Sequence, residues 1–525
     1  MPTVAENNKR IAKNTVLLYF RMLLIMLVSL YTSRIVLRAL GVEDFGIYNV
    51  VGGVVAMFSI LSGSLSSAIS RFITFELGKN DLNKLKRVFS ASVTIQIILA
   101  ILIVVVAEII GTWFINAKMN IAPDRLQAAN WVFHFSILTF VVNLINVPYN
   151  ATIIAHERMS AFAYISILEV MGKLAIAYFV QIAPIDRLIF YAILMFGVAL
   201  IIRFIYALYC RRHFEETHYH FIWDRQLLKQ MFGFAGWNFI GTSSSLLRDQ
   251  GGNILLNLFF GPVVNAASGI ANQVYTALYN FSTNFMTALN PQITKSYASG
   301  DYDYLMKLIY NGSRFSAYLL FLISLPVIIN ADYLIKLWLG IIPDHTVLFV
   351  RLILIFAISE SITSPLVTAQ LATGNIRNYQ LIVGGLKLLN LPIAYVCLYF
   401  GGAPSSVYII SIVVSQLCVI ARVYMLSKLI PFSVMYFYRK VYINIIYVMI
   451  VSVIIPVSIS AFLNHGTLSF LINCFTSFLS SLFTIYYIGC SKDERAYIIG
   501  KTRSFIHNYL HNTRDNNKSK ARSAR

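Results

Sequence analysis

Charged side chains inside otherwise apolar stretches are the residues best placed to do chemistry in this sequence. An ionisable group in the middle of a membrane-length apolar stretch is costly, and it usually faces a cavity or a partner. Carboxylates suit a cationic group, whereas Arg and Lys suit an anionic one. The acidic candidates are Glu169, Asp249 and Glu360, and the basic candidates are Arg21, Lys173, Arg248 and Lys387.

The local spacing of these residues leaves alternatives open for two of them. Glu169 and Lys173 are four residues apart on one predicted helix, so they either neutralise each other or contact a ligand. Arg21 lies about two turns into the first apolar stretch, and it is either a cavity ligand or an interfacial anchor. Arg422 lies near a predicted helix end, where we expect the side chain to snorkel to the membrane interface.

The stretch 231–260 is the least regular of the apolar stretches. It contains five glycines, among them Gly236, Gly241 and Gly251-Gly252, three consecutive serines and the pair Arg248-Asp249. We expect a broken helix that lines a polar cavity, with Arg248 facing the cavity. Asp249 could face elsewhere, because neighbouring residues on a helix are about 100° apart.

A polar stripe follows in the next apolar stretch. Gln273, Thr276, Asn280 and Asn284 are spaced by three, four and four residues, which places them on one helical face. Amides and hydroxyls of this kind suit hydrogen bonds to sugars, but they also mediate close helix packing. Lys387 is a further cavity candidate.

Motifs of the common enzymes are missing from the sequence. It contains no Walker A, GxSxG or HExxH pattern, and its five cysteines form no CxxC pair. We therefore expect no enzyme activity, no metal and no cofactor, and any transport should be secondary or passive.

The composition sets the class of protein. Of the 525 residues, 58% are hydrophobic and only 12% are charged, about half the charge of an ordinary soluble domain. This balance excludes a soluble globular fold and a disordered chain. The net charge of +20 does not indicate nucleic-acid binding, because the basic residues lie between apolar runs.

The apolar runs predict an all-α polytopic membrane protein, since each is near the ~20 residues needed to span a bilayer. The predicted spans, about fourteen in number, are 14–37, 46–70, 89–113, 128–150, 160–182, 188–210, 231–260, 264–290, 315–338, 347–370, 378–400, 405–427, 441–462 and 467–489.

The distribution of positive charge predicts the orientation. If the N-terminus is cytoplasmic, the loops and termini on that side hold 29 of the 42 Lys and Arg residues, and the opposite side holds five. This asymmetry predicts that both termini are cytoplasmic. The segment 490–525 is predicted to be a basic cytoplasmic tail attracted to anionic lipid.

The layout of the predicted spans indicates two related halves. A shift of 220 residues pairs Gly41 with Gly261 and Asp81 with Asp301, and in both copies a Gly-bearing turn precedes a small-residue helix. We predict a six-helix lobe at 1–215, a second at 220–428, and two additional helices at 429–489. Transporters often bind substrate at the interface between such repeats.

Several short segments carry a family resemblance. Thr32–Arg34, Leu40–Tyr48 (LGVEDFGIY), Arg71-Phe72, Pro148–Ala151 and Ala155–Arg158 are similar to segments of polysaccharide flippases. The chain therefore resembles the O-antigen and capsule flippases of the multidrug/oligosaccharidyl-lipid/polysaccharide exporter superfamily, and the similarity covers essentially the whole chain.

The resemblance implies a transporter of the bacterial inner membrane that moves an undecaprenyl-diphosphate-linked oligosaccharide for lipopolysaccharide or capsule synthesis. Its implied partners are this substrate, membrane lipid and other polysaccharide-assembly membrane proteins, with no nucleic acid. A cation-coupled multidrug exporter of the same superfamily is the main alternative, which Glu169, Asp249 and Glu360 keep open. A membrane glycan polymerase or ligase is less favoured, because the predicted external loops are short.

Overall fold

The chain folds almost entirely into helices, and the computed structural model describes residues 4–56, 58–117, 121–339, 342–462, 466–492 and 494–496. No strand occurs among these residues. Two compact units form, one from the described residues of Met1–Ser316 and Pro343–Val434 and the other from those of Ala317–Ile342 and Met435–Arg525. Most of the predicted tail at 490–525 lies outside the described residues.

The α-helices follow one another with short connections. In chain order they are α1 (Val4–Ala56), α2 (Ser59–Lys79), α3 (Leu82–Val106), α4 (Thr112–Ala117), α5 (Leu126–Ala155), α6 (Met159–Phe179), α7 (Arg187–His213), α8 (Arg225–Ser299), α9 (Tyr302–Ile329), α10 (Ala331–Leu339), α11 (Thr346–Thr373), α12 (Arg377–Tyr399), α13 (Ser406–Ser427), α14 (Val434–Tyr436), α15 (Ile443–Phe462) and α16 (Thr467–Thr484).

Eleven helical segments within the described residues are long and apolar enough to cross a membrane. The protein is therefore a polytopic all-α membrane protein, as predicted. Three predicted spans, 46–70, 231–260 and 264–290, are not among the eleven. They fall on the second part of α1 with α2, and on the two parts of α8, which are helical but richer in Gly, Ser and amide residues.

Two glycines break the longest helices at equivalent places. Gly41 in α1 has φ 82° and ψ 170°, and Gly261 in α8 has φ 79° and ψ −171°. These are the two positions that the 220-residue shift pairs. An L-residue rarely adopts a positive φ of this size, so glycine is the residue type that permits each kink.

The turns after α2 and α8 are also alike. Asn80 and Gly300 end the two helices in the left-handed conformation. In the next helices, the Asp81 carboxylate accepts a hydrogen bond from the Lys84 N–H, and that of Asp301 accepts one from the Tyr304 N–H. A left-handed residue that ends one helix, followed by an Asp that caps the next, thus occurs twice, 220 residues apart.

Two local expectations are wrong. The stretch 231–260 is not broken, because α8 runs continuously through Gly236, Gly241 and Gly251-Gly252 and departs from helical geometry at Gly261. Glycine lowers helix propensity by about 1 kcal/mol, but packing against neighbouring helices outweighs that cost. The span 315–338 is divided, since α9 ends at Ile329 and α10 begins at Ala331.

Helices α2 and α8 pack closely where their C-terminal ends meet. A Cβ atom added to Gly78 would lie 2.9 Å from Ala298 Cβ and 2.9 Å from the Cα atom of Lys295. Nearby, the buried Glu157 carboxylate of the α5–α6 turn lies 2.7 Å from Lys295 Nζ and accepts a hydrogen bond of 2.6 Å from Gln292 Nε2. These contacts join the predicted lobe at 1–215 to the predicted lobe at 220–428 at this end of the helices.

Candidate functional site

A polar cavity of about 480 Å³ lies among α8, α11, α12 and α13. Its wall consists mainly of hydroxyl and amide side chains, with Lys387, Arg422 and Glu360 as the charged members. The hydroxyl and amide residues that line it are Asn238, Thr242, Ser245, Tyr279, Thr283, Thr287, Asn290, Thr363, Ser364, Thr368, Tyr379 and Gln380. We call this the inner cavity.

The helices reach this arrangement through close glycine contacts. A Cβ atom added to Gly384 of α12 would lie 3.8 Å from the Cα atom of Gly241 in α8. Beside this crossing, Gln380 Nε2 donates a hydrogen bond of 3.2 Å to Asn238 Oδ1. Small residues allow the two backbones to approach, so the amides bond across the crossing at the cavity wall.

Glu360 and Arg422 form a buried ion pair in the inner cavity. Arg422 Nη2 lies 3.7 Å from Glu360 Oε2, and the Arg422 side chain is only 3% exposed. Arg422 Nη1 also donates a hydrogen bond to Thr363 Oγ1. Since a buried charge is costly without a partner, the carboxylate and the hydroxyl together stabilise this guanidinium.

Lys387 has a hydroxyl group as its hydrogen-bond partner. Its Nζ donates a hydrogen bond of 2.9 Å to Ser245 Oγ, and no acidic group in the described part of the chain lies within 4 Å of it. Glu360 attracts the Lys387 ammonium electrostatically at longer range, but its ion-pair partner is Arg422. Counting Lys387, Arg422 and Glu360, the lining of the inner cavity carries one excess positive charge.

A second cavity of about 390 Å³ adjoins the inner cavity, because Thr287, Asn290, Thr368 and Leu371 line both. Its remaining wall includes hydroxyl residues of α2 and α8, which are Ser66, Ser67, Ser70, Thr74 and Thr294, and the cation Arg71. The two cavities form one polar region between helices of the two predicted lobes. We call the second one the serine cavity.

Arg248 and Asp249 bind each other beside the inner cavity rather than line it. Arg248 Nε donates a hydrogen bond of 2.8 Å to Asp249 Oδ1, and the guanidinium carbon lies 4.8 Å from the centre of the Phe356 ring. The Asp249 side chain is 58% exposed, whereas that of Arg248 is 9% exposed. The predicted cavity-facing role of Arg248 is thus not seen in this conformation.

The three charged candidates of the first predicted lobe lie apart from both cavities. Lys173 Nζ bonds Glu169 Oε1 at 2.6 Å, so these two residues form the self-neutralised pair. Arg21 lies over the ring of Phe162, with 4.3 Å between the guanidinium carbon and the ring centre. Its Nε is buried and has no hydrogen-bond partner among the described residues.

The polar stripe of α8 flanks the inner cavity. Gln273 and Asn280 are exposed, and Asn284 is half-buried and donates a hydrogen bond of 2.7 Å to the Asn280 carbonyl. The face of α8 that lines the cavity is the neighbouring one, with Tyr279, Thr283 and Thr287 among its residues.

Two cations at the cavities are not among the sequence-derived candidates. Arg422 is buried against Glu360, so the expectation that it snorkels to the interface is wrong. Arg71 lies at the edge of the serine cavity, and Nη2 donates a hydrogen bond of 2.9 Å to the Ala372 carbonyl. The sequence feature that could have identified Arg422 is Glu360. This carboxylate lies within another predicted span, and a buried carboxylate needs a cationic partner.

The side chains of this site are suited to binding a polar ligand. Hydroxyls and amides can hydrogen-bond sugar hydroxyls, and Lys387 and Arg422 can attract an anionic group. Within the described residues, no group of three or more His, Cys, Asp or Glu side chains is placed to hold a metal ion.

Comparison with known proteins identifies the family of the chain and one related membrane protein. A family model described as polysaccharide biosynthesis protein matches residues 11–297. The uncharacterized membrane protein EpsK of Bacillus subtilis (strain 168) is 20% identical over 327 residues, which cover 61% of this chain and 63% of EpsK.

Solved structures of similar fold belong to the MOP superfamily. A multidrug resistance MATE family transporter in an outward-facing conformation matches with a TM-score of 0.68 and 14% identity, over 79% of this chain and 96% of that one. A MOP superfamily transporter from Pyrococcus furiosus Vc1, described as having a binding pocket of reverse polarity, matches with a TM-score of 0.66 and 13% identity, over 81% and 96%. At these identities the likeness establishes the fold.

Proposed function

The chain belongs to the polysaccharide biosynthesis protein family, and from this premise we propose that it is a flippase for an undecaprenyl-diphosphate-linked oligosaccharide. It acts in the bacterial inner membrane, with both termini in the cytoplasm, and serves lipopolysaccharide or capsular polysaccharide synthesis. The family and the fold are those of transporters, and the proposed activity moves the substrate without breaking a bond.

The inner cavity is the observation that carries this proposal. Its lining combines hydroxyl and amide side chains with Lys387, whose ammonium has a hydroxyl partner and, among the described residues, no carboxylate within 4 Å. Such a wall suits a polar, uncharged glycan attached to an anionic head. The polyprenyl tail would stay in the lipid while the head and sugars pass through the polar region.

Movement follows an alternating-access scheme. The two predicted lobes rock about the polar region, which opens first to one side and then to the other. The contacts of Glu157 with Lys295 and Gln292 hold the lobes together at the end that the basic loops assign to the cytoplasm. In the flipping cycle these contacts break when the cavity opens to that side.

The rival function is cation-coupled export of cationic drugs. Glu360 favours it, because a cavity carboxylate is what a cationic substrate or a coupling ion would need. Against it, Arg422 binds this carboxylate, and Lys387 lies within electrostatic range of it. A cationic substrate would enter a cavity whose lining is already positive.

Deletion of the gene in its native host tests the proposal. We expect lipid-linked oligosaccharide repeat units to accumulate on the cytoplasmic face and surface glycan to be lost. A gene copy that expresses the unaltered protein should restore both. If surface glycan is unchanged and the cells instead become sensitive to cationic dyes, the proposal is wrong and the drug exporter is favoured.

A further inference from the structure

A third cavity, of about 370 Å³, lies at the end of the helices where α2, the start of α8 and the α11–α12 turn meet. Its volume lies within the usual range of ligand pockets. Its distinctive lining residues are Arg71, Lys229, Phe234, Trp237, Gly374 and Arg377. None of the residues that line it is acidic. We call it the basic end pocket.

The basic end pocket contains three cations that have no acidic partner among the residues that the structure describes. No acidic group of the described residues lies within 4 Å of Arg71, Lys229 or Arg377. Glu76 acts on Arg71 at longer range, but Lys84 holds this carboxylate at 3.0 Å. Three positive charges therefore surround one space without local neutralisation, which favours an anionic ligand.

Aromatic rings and a glycine fix the position of Arg71. Its guanidinium carbon lies 4.4 Å from the centre of the Phe75 ring and 5.7 Å from that of Phe234. A Cβ atom added to Gly374 would lie 2.7 Å from Arg71 Nη2, so the missing side chain makes room for the guanidinium. Nη2 bonds the Ala372 carbonyl, whereas the buried Nε has no partner among the described residues.

The start of α12 adds backbone donors to the same pocket. Asn375, Ile376 and Arg377 line it, and Ile376 supplies no side-chain cap to this 23-residue helix. Uncapped N–H groups and the positive end of the helix dipole attract oxyanions. Arg377 also lies 5.4 Å from the Trp237 ring centre, so this indole reports on the site.

The basic end pocket is connected to the rest of the polar region through Arg71. This residue lines the basic end pocket and the serine cavity, and the serine cavity shares Thr287 and Asn290 with the inner cavity. A ligand held at the end pocket thus lies next to the path that leads to Lys387. Lys229 lies in the first turns of α8 and Arg377 begins α12, at ends of the helices that the charge distribution predicts to be cytoplasmic.

We propose that the basic end pocket binds the phosphate-bearing head of a lipid-linked substrate on the cytoplasmic side, before the head enters the serine cavity. The phosphate chemistry rests on the pocket itself, whereas the identity of the substrate rests on the proposed function. Arginine suits this ligand because its guanidinium can bond two phosphate oxygens at once. A phospholipid headgroup has the same phosphate chemistry and is the other possible source.

Fluorescence of Trp237 provides the test, with the full chain purified into nanodiscs of phosphatidylcholine. Inorganic pyrophosphate is the probe. The fluorescence of Trp237 is obtained as the difference between the unaltered protein and Trp237→Phe, and this difference reports on the basic end pocket. We expect a saturable change. Arg377→Gln and Lys229→Gln should each raise the dissociation constant roughly tenfold, because each removes a charge-assisted contact. Absence of a saturable signal would overturn the proposal.

Arg211→Gln is the matched control. Arg211 is an exposed cation in the last turn of α7, at a helix end predicted to face the same side, and it does not line the pocket. Its removal should leave the dissociation constant unchanged. If Arg211→Gln weakens binding as much as Arg377→Gln does, the effect is general surface charge and the pocket proposal is wrong.

Two further arms distinguish the source of the phosphate. Polyprenyl diphosphate added to the nanodiscs should displace pyrophosphate, whereas replacement of phosphatidylcholine by phosphatidylglycerol should leave pyrophosphate affinity unchanged. Strong competition by phosphatidylglycerol would overturn the assignment to the transported substrate. If pyrophosphate binds as expected but the gene deletion leaves lipid-linked repeat units unchanged, the proposed function fails and the anion site stands.

Discussion

At the scale of single residues, a substitution of Lys387 tests whether the inner cavity binds the substrate. Lys387→Gln keeps a hydrogen-bonding side chain but removes the positive charge beside Ser245. We expect restoration of surface glycan in the deletion strain to fall roughly tenfold to a hundredfold, because a charge-assisted hydrogen bond to substrate contributes about 1.5–3 kcal/mol. The measurement is surface glycan per unit of membrane-inserted protein.

Lys428→Gln serves as the control for that variant. Lys428 is exposed, follows α13 and does not line the inner cavity. It should support normal surface glycan. Equal activity of Lys387→Gln and Lys428→Gln would remove Lys387 from the substrate path.

The ion pair of Glu360 and Arg422 should contribute to the stability of the protein as well as to transport. Glu360→Gln leaves the buried Arg422 without its carboxylate, and we expect the free energy of unfolding to fall by about 3–5 kcal/mol. Thermal unfolding of the purified protein in detergent measures this. The double variant Glu360→Gln/Arg422→Met should recover part of the loss, because it leaves no unpaired guanidinium. Unchanged stability of Glu360→Gln would show that the pair is not buried as described.

Local partners are easier to derive from the sequence than distant ones. The spacing of Glu169 and Lys173 leaves a mutual pair or a ligand contact as alternatives, and in the structure the two side chains bond each other. Sequence reasoning failed for Arg422, since closeness to a predicted helix end does not reveal a carboxylate on another helix. Arg71 was missed for the same reason, as its partner is the Ala372 carbonyl, 301 residues away.

At the scale of the elements, the crossing of α8 and α12 depends on glycine. A Cβ atom added to Gly241 would lie 1.8 Å from Gln380 Oε1, so Gly241→Ala must displace the amide that bonds Asn238. We expect a loss of about 1–3 kcal/mol in the free energy of unfolding, the usual cost of overpacking. Thermal unfolding in detergent and surface glycan in the deletion strain should both fall.

Gly236→Ala is the control on the same helix. A Cβ atom at Gly236 meets no atom within 4 Å. Alanine there should leave stability unchanged or raise it by up to about 1 kcal/mol, because alanine is the better helix former. The packing account fails if the two substitutions have the same effect.

The helices themselves were largely predictable, because membrane-length apolar runs satisfy the backbone internally and have few other options. The junctions were less so. The predicted turn between 14–37 and 46–70 is a single kink at Gly41 within α1, and the expected break in 231–260 lies at Gly261 instead. Glycine content marks where a backbone can bend, but neighbouring helices decide which glycine does.

At the scale of the whole molecule, Glu157 links residues of the two predicted lobes. Glu157→Gln weakens the contacts with Lys295 and Arg10, the latter at 2.7 Å, and should increase the population open at this end. The measurement is the rate of alkylation of Cys introduced in Ala298→Cys, in a background without the five native cysteines. We expect several-fold faster labelling.

Glu76→Gln is the control for Glu157→Gln. It shows whether the loss of any buried carboxylate accelerates labelling. Glu76 is also buried, but its partner is Lys84 in the next helix of the same predicted lobe. It should not change the labelling rate. Equal acceleration by both variants would contradict the role given to Glu157.

The central claim is that the polar region carries a lipid-linked oligosaccharide across the bilayer, and translocation in proteoliposomes tests it most directly. The liposomes contain purified protein and an undecaprenyl-diphosphate-linked oligosaccharide, and a membrane-impermeant glycosidase trims the sugars exposed outside. The account predicts that digestion proceeds to completion with the unaltered protein, and that with Lys387→Gln the phase beyond the outer-leaflet share is roughly tenfold to a hundredfold slower. Digestion that stops at that share with the unaltered protein, while a cationic dye is transported, would contradict the account.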